Sequence, residues 1–209
     1  MRKRGLLLLL VIFIGMPGIP SAAMQDEIAA LEARLMEMPE MMNSDTDEVQ
    51  AIFEAGQELG NRPNVFVKVG DSNTTNGDFM IRLGMGEGYC ALGEYDDLQT
   101  TIDFFAEVSP REGERNSFTS YSVAAVNGLR TASAPGPFWA DKRECLPNES
   151  PIACEYRVAK PSISVIMLGM MDSRYWDAET FRANMQKVVQ VTIEHGLIPV
   201  LTTFVVLPD

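Results

Sequence analysis

Residues 64–74 have the sequence NVFVKVGDSNT, an apolar run that ends abruptly in a glycine, a carboxylate and a hydroxyl. A short apolar run bounded by turn residues is typical of a strand that is buried on both faces. In open parallel sheets, ligands bind beyond the carboxyl ends of the strands, where the loops form a crevice. Ser72 would lie at that point, so the stretch predicts both an α/β fold and the place of a site.

The Gly70-Asp71-Ser72 tripeptide also has a plainer interpretation. These residue types are common in a turn that leads to a helix N-cap. Because short motifs occur by chance, this stretch alone leaves both interpretations open.

The first 23 residues have the pattern of a secretory signal peptide. Arg2, Lys3 and Arg4 precede an apolar run that is short for a membrane span, and small residues follow at 21–23. We therefore predict a signal peptide at residues 1–23 and an exported protein, extracellular or periplasmic. An uncleaved N-terminal anchor is the alternative.

The chain is strongly acidic. Its formal net charge is -12, which becomes -15 when the three basic residues of the leader are removed. Such a surface repels phosphate backbones and anionic membranes. We expect no nucleic-acid partner and no stable membrane association after signal cleavage. The composition leaves the oligomeric state open.

The rest of the chain is long enough for one domain. Residues 24–46 predict a helical or flexible tether, because their helical spacing lasts less than three turns. Residues 47–209 form the predicted domain. It begins with a helix that ends near Gly60, for which Ser44, Asp45 and Asp47 are the available caps.

Within the domain, the spacing of apolar residues predicts alternating strands and helices. Two short helices are expected at 79–83 and 95–105, and a long loop at 109–160 surrounds a short segment at 121–126. Residues 162–168 and 197–207 predict strands, separated by a helix that Asp177 caps. Strand, helix and strand at this spacing form a right-handed crossover, so the sheet is mainly parallel.

Three cysteines are present. Cys145 and Cys154 bracket a short segment, and in an exported protein this arrangement predicts a disulfide. Cys90 is expected to be a small buried apolar residue, because no histidine flanks it. With one histidine and no Cys-x-x-Cys pair, a zinc site has little support. We expect no metal or other cofactor.

Three blocks, in order along the chain, resemble the SGNH/GDSL hydrolase family of exported serine esterases and acetylhydrolases. In residues 67–72, Ser72 matches the family's nucleophile. In residues 122–128, Gly128 matches the glycine whose backbone N–H helps to hold an oxyanion. Residues 165–172 match the family's Gly-x-Asn-Asp block, except that Met171 stands at the asparagine position.

This resemblance implies a flavodoxin-like three-layer α/β/α fold and a hydrolase of acyl or acetyl esters, carried on a small molecule or a carbohydrate. Ser72 would be the nucleophile, and the N–H groups of Ser72 and Gly128 would form the oxyanion hole. Asp71 and Asp172 would lie beside the site. Met171 cannot donate a hydrogen bond, so one oxyanion donor is missing.

The general base is a second departure from the family. Its final Asp-x-x-His block has no match here, although a serine hydroxyl needs a base within hydrogen-bond reach. His195 is expected at a helix end, on the sheet edge opposite to Ser72. The sequence therefore predicts an impaired hydrolase whose domain is truncated at the C-terminus. The alternative is a non-catalytic exported protein, a pseudoenzyme or gene fragment that keeps the fold.

Overall fold

The computed structural model describes residues 46–86 and 88–202. These residues belong to one compact unit. The predicted signal peptide at 1–23, the predicted tether except for residue 46, and residues 203–207 of the predicted last strand lie outside the described residues.

The described residues have a mixed α/β fold, with three strands in one parallel sheet in the order β1-β2-β3. The strands are β1 (Arg62–Gly70), β2 (Pro161–Met167) and β3 (Ile198–Leu201). The α-helices in residues 46–86 and 88–202 are α1 (Asp47–Glu58), α2 (Gln99–Ala106), α3 (Pro151–Ala159) and α4 (Ala178–Glu194). Short 3₁₀ helices lie at Ile81–Gly84, Gly93–Leu98, Pro137–Trp139 and Asp172–Arg174.

A fourth segment pairs with the other edge of β1, at its carboxyl end. The Gly70 N–H donates to Ala124 O at 3.1 Å, and the Val126 N–H donates to Gly70 O at 2.9 Å. Gly70 and Ala125 thus form a parallel bridge. The short segment expected at 121–126 is reduced to this single bridge, with turns on either side.

Side chains from alternate positions of β1 enter two hydrophobic clusters. Val67 belongs to a cluster with Tyr156 of α3 and Val188 of α4. Phe66 belongs to a second cluster with Ile102 of α2. Because successive side chains of a strand point to opposite faces, α2 packs on one face of β1 while α3 and α4 pack on the other.

The helix caps explain where two of the helices begin. Thr46, rather than Ser44, Asp45 or Asp47, caps α1, and its hydroxyl accepts a hydrogen bond from the Val49 N–H at 3.2 Å. The predicted cap of α4 is confirmed, since the Asp177 carboxylate accepts from the Thr180 N–H at 2.7 Å. Within the described part of the chain, no helix is both long enough and apolar enough to cross a bilayer.

Helix α3 lies in the region for which the sequence predicted a loop, so that prediction is wrong for residues 151–159. Ser150 caps the helix by accepting a hydrogen bond from the Ala153 N–H at 3.2 Å. Pro151 occupies the first turn, where its fixed φ suits the helix and its missing N–H costs nothing. The serine-proline pair was the signal of a helix start, although proline is also typical of loops.

Cys145 and Cys154 form the predicted disulfide, which joins α3 to the segment before it. A ring of this size stabilises a fold by about 2–3 kcal/mol in the chain-entropy model. Cys90 is exposed, so the prediction of a buried Cys90 is wrong. It lies in an irregular segment between two 3₁₀ helices, outside both hydrophobic clusters.

We expect alkylation of the folded protein without reductant to modify Cys90 alone, because the other two sulfurs are joined. Intact-mass spectrometry would count the added groups. Cys90→Ser should accept none, and prior reduction under denaturing conditions should expose all three thiols of the wild type. Three modified cysteines in the folded, unreduced protein would contradict the disulfide.

Candidate functional site

Ser72 lies directly after β1, in a tight turn that Asp71 holds in place. The Asp71 carbonyl accepts hydrogen bonds from the Thr74 and Thr75 N–H groups, each at 3.1 Å. The Asp71 carboxylate accepts another from the Asn73 N–H at 3.0 Å. Asp71 is buried, whereas Ser72 is exposed. The turn therefore fixes the backbone around Ser72 and leaves its side chain accessible.

Gly70 allows this turn to fold back closely on the end of the sheet. A Cβ at this position would lie 1.8 Å from Thr74 Oγ1 and 2.6 Å from Met167 O. The second of these atoms belongs to the backbone of β2, which cannot easily move. Glycine is therefore required for the approach of the Ser72 turn to both strands.

The block that contains Gly128 lies beside this turn. The Thr75 hydroxyl lies 3.1 Å from Ser72 O and 2.6 Å from Asn127 Oδ1, so it connects the two segments. Gly128 has a φ of +83°, in the left-handed region that glycine adopts without strain. The bridge at Gly70 and the Thr75 contact thus bring the first two blocks together.

The third block begins in β2, and the part of it that follows the strand contacts the segments directly after the other two blocks. The Asn73 amide donates to Met170 Sδ at 3.3 Å. Asp172 is fully buried and accepts hydrogen bonds from the Thr131 N–H, at 3.1 and 3.2 Å to its two oxygens, and from the Thr131 hydroxyl. Asp172 therefore ties the third block to the turn that follows Gly128.

Two backbone N–H groups of these loops, those of Ser72 and Gly128, have no acceptor in the described part of the chain. Most backbone N–H groups in folded proteins are paired, so two unpaired donors on adjacent loops form a candidate anion-binding pair. Sequence motifs alone could not show that these donors are unpaired.

Met171 lies at the start of the 3₁₀ helix Asp172–Arg174 and is partly exposed. Its thioether sulfur is only a weak acceptor, so this position adds no donor to the two N–H groups. Asp71 and Asp172 have structural partners, in the turn after β1 and at Thr131 respectively.

His195 lies at the opposite end of the sheet from Ser72. It follows α4, and its Nδ1 lies 2.7 Å from Val191 O. The Asn61 amide, just before β1, donates to His195 O at 2.9 Å. Ser72 follows the far end of β1, whose nine residues span about 30 Å. His195 therefore cannot reach the Ser72 hydroxyl.

A buried ionic network lies behind the second block. Arg111 Nη2 is 2.6 Å from Glu155 Oε2, and Arg111 Nη1 is 3.1 Å from Glu144 Oε2. Glu155 also accepts a hydrogen bond from the Val123 N–H at 2.8 Å. Burial raises the pKa of Glu155, and Arg111 opposes that rise. Sequence analysis missed this network, because Arg111 and Glu155 are 44 residues apart and no local pattern links them.

One group of metal-ligand side chains lies close together among the described residues: Cys145, Glu149 and Cys154. Its two sulfur atoms are joined in the disulfide. Neither of them is a thiolate, which is the form of cysteine that binds metals. This cluster is therefore not a metal site in the disulfide-bonded protein.

Comparisons of the chain with family models, curated proteins and solved structures found no match. The SGNH/GDSL resemblance therefore stays a prediction from the three sequence blocks.

Proposed function

We propose that this chain carries an SGNH/GDSL-type acyl-transfer site in which Ser72 is the nucleophile toward acyl or acetyl esters. The observation that carries the proposal is the meeting of the loops after the three blocks beside an exposed serine. In the part of the chain that the structure describes, the N–H groups of Ser72 and Gly128 have no acceptor. An ester carbonyl oxygen that gains negative charge during attack needs donors of this kind.

The strand order supports a flavodoxin-like arrangement. Across the sheet, the Ala125 segment lies beside β1, and β2 and β3 follow on the other side. In sheets of this order, ligands bind where the direction of strand addition reverses. That reversal falls between β1 and β2, whose following loops carry Ser72 and Met170. We propose a three-layer α/β/α domain on this basis.

The proposed chemistry lacks a histidine base. Ser72 Oγ would attack the carbonyl carbon as its proton passes to water, and the oxyanion would accept hydrogen bonds from Ser72 N–H and Gly128 N–H. Collapse of this intermediate would break the ester C–O bond and expel the alcohol, which takes a proton from water, and a second water would release the acid from the acyl-serine. The single histidine of the chain lies at the wrong end of the sheet. Loss of a triad member leaves only the contributions of the oxyanion hole and of substrate binding, so hydrolysis is expected to be slow.

The position of His195 favours a second candidate function. A non-catalytic exported protein could keep this fold and bind an ester in the crevice without turning it over. The Cys145–Cys154 disulfide supports export in both cases, because disulfides persist in oxidising compartments.

Hydrolysis of p-nitrophenyl acetate at increasing imidazole concentrations separates the two functions. Imidazole in solution would supply the missing proton acceptor, so the wild-type rate should exceed the Ser72→Ala rate by a margin that grows with imidazole. Ser173→Ala changes another exposed serine at the same end of the sheet and should behave like the wild type. Equal rates for wild type and Ser72→Ala at every concentration would contradict the enzyme and favour the binding protein.

Met171→Asn is expected to raise the Ser72-dependent rate by up to about 10²-fold, because an oxyanion donor contributes roughly that factor. The ratio of kcat/KM values, after subtraction of the Ser72→Ala rate, measures the effect. Met171→Leu supplies no donor and should leave the rate unchanged. If the asparagine and leucine variants had equal rates, Met171 would not face the oxyanion.

A further inference from the structure

A cavity of about 660 Å³ opens beside the second block, next to Gly128. Ala125 and Val126 form part of its wall, and a Cβ at Gly128 would lie 3.8 Å from the Trp139 ring, which also lines the cavity. Its volume lies within the usual range of small-molecule sites, about 300–1,000 Å³. The cavity is thus large enough for a ligand, and it adjoins one of the two proposed oxyanion donors.

Tyr121 presents a fixed aromatic ring to this cavity. The Arg111 guanidinium lies over the ring, 4.4 Å from its centroid, and the Tyr121 hydroxyl donates to Glu144 Oε1 at 2.5 Å. The Arg111 side chain is only 6% exposed, whereas Tyr121 is 50% exposed. Because the buried Arg111 covers one face of the ring, the exposed part of the ring faces away from Arg111. The network that holds Glu155 therefore also holds an exposed ring in one orientation.

Trp139 contributes a second aromatic surface, with an unused hydrogen-bond donor. Its side chain packs against the hydrophobic cluster that contains Val67, and it also lines the cavity. Within the described residues the Trp139 indole N–H has no acceptor, and its nitrogen is not among the buried atoms. A ligand can therefore reach this donor. An aromatic face with an N–H at its edge suits a molecule that has both an apolar face and hydroxyl groups.

The charged groups of the cavity neutralise one another. Among the described lining residues, those that carry charge are Asp141, Arg143 and Glu144. Arg143 Nη2 lies 2.6 Å from Asp141 Oδ2, and Arg111 Nη1 lies 3.1 Å from Glu144 Oε2. A cationic ligand would meet Arg143 and an anionic ligand would meet two carboxylates, so neither would find an unpaired counter-charge. The carboxylate oxygens and guanidinium N–H groups keep capacity for hydrogen bonds to neutral hydroxyl groups.

We propose that this cavity binds a neutral sugar residue, the part of the ester substrate that carries the acyl group. The C–H face of a pyranose ring is apolar and would lie on the rings of Trp139 and Tyr121. The sugar hydroxyl groups would accept hydrogen bonds from the Trp139 and Arg143 N–H groups and donate to the Asp141 carboxylate. The inference rests on the proposed function, because it assigns the alcohol side of the ester whose carbonyl lies at Ser72. The substrate class is then an acylated neutral carbohydrate.

Calorimetric titration with neutral disaccharides tests binding without any need for catalysis. The panel is cellobiose, mannobiose, xylobiose and lactose, with digalacturonate as the charged control. We expect at least one neutral disaccharide to bind the wild type and Ser72→Ala equally, and digalacturonate to bind at least about tenfold more weakly, because its carboxylates would face Asp141 and Glu144. In ¹H–¹⁵N NMR spectra the same sugar should shift the indole signal of Trp139 and leave that of Trp176, the other tryptophan, unchanged.

Two variants should weaken sugar binding by about tenfold or more. Trp139→Leu keeps an apolar side chain against the core but has neither a flat ring nor an N–H. Arg143→Met removes charged donors. Because the Arg143 side chain is exposed, this variant should keep the melting temperature of the wild type, so its loss of binding is not a loss of folding. Phe138→Ala removes a neighbouring exposed ring that does not line the cavity, and should bind the sugar like the wild type.

The inference would be overturned if no disaccharide of the panel bound the wild type, or if digalacturonate bound as tightly as the neutral sugars. Wild-type affinity in folded Trp139→Leu or in Arg143→Met would also overturn it. Ser72-dependent hydrolysis of p-nitrophenyl acetate in the same preparation would show that the proposed function survives such a failure. Sugar binding without that hydrolysis would support the sugar site together with the non-catalytic function.

Discussion

Arg111→Met is expected to lower the free energy of unfolding by about 3–5 kcal/mol, because it leaves the buried carboxylate of Glu155 without its cation. The side chain of Glu155 is 1% exposed and that of Arg111 is 6% exposed, so water cannot replace the lost contact. Lys68, the other cation near Glu155, is held by Phe118 O. Urea unfolding of both proteins measures the difference.

Two further variants show whether the lost charge pair causes the effect. Adding Glu155→Gln to Arg111→Met removes the buried charge and should recover most of the lost stability. Arg143→Met breaks an ion pair whose arginine side chain is 87% exposed, and should change stability little. If the Arg111→Met single variant unfolded at the same urea concentration as the wild type, the result would contradict a stabilising role for the network.

The destabilisation by Arg111→Met should also grow as the pH rises. Burial raises the pKa of Glu155 above its ordinary 4.5, and removal of Arg111, which opposes this, raises it further. The folded variant then binds a proton that the unfolded chain has released, so its stability falls as the pH rises from about 4.5 through the folded-state pKa. Unfolding at pH 5 and pH 8 should show the larger deficit at pH 8.

Gly70→Ala is expected to lower the free energy of unfolding by about 3 kcal/mol or more. Its methyl group would overlap Thr74 Oγ1 and the backbone oxygen of Met167, at 1.8 and 2.6 Å. To relieve both overlaps, the Ser72 turn would have to move away from β2. The variant should therefore also lose any Ser72-dependent hydrolysis, even at temperatures where it remains folded.

Gly77→Ala is the matched control. A Cβ at Gly77 would meet no atom within 4 Å, and its φ is not in the left-handed region. The same glycine-to-alanine change should therefore leave both stability and hydrolysis close to the wild type. If Gly70→Ala were as stable as Gly77→Ala, the result would contradict the close packing of the Ser72 turn against the sheet.

The elements that the sequence predicted have strong local signals. Strand β1 is an apolar run that stops at glycine, and Asp177 caps α4 at the expected place. Helix α3 was missed because its first-turn Pro151 is equally typical of loops. The segment at 121–126 does not extend into a strand, since only Ala125 bridges the end of β1.

The candidate site was predictable in its parts and not in its connections. The motifs placed Ser72, Gly128 and the third block after strands, which in a parallel sheet end at the same edge. The contacts that join them, Thr75 to Asn127 and Thr131 to Asp172, span 52 and 41 residues. No local pattern predicts side-chain hydrogen bonds at such separations.

Covalent labelling with an alkyl fluorophosphonate tests most directly whether Ser72 lies in an acyl-transfer site. The folded protein would be treated in the presence of imidazole, and the modified residue located by mass spectrometry of its peptides. We expect one adduct, on Ser72, that is absent from Ser72→Ala and present in Ser173→Ala. Folded wild-type protein that remains unlabelled, or that is labelled to the same extent as Ser72→Ala, would contradict the proposed site.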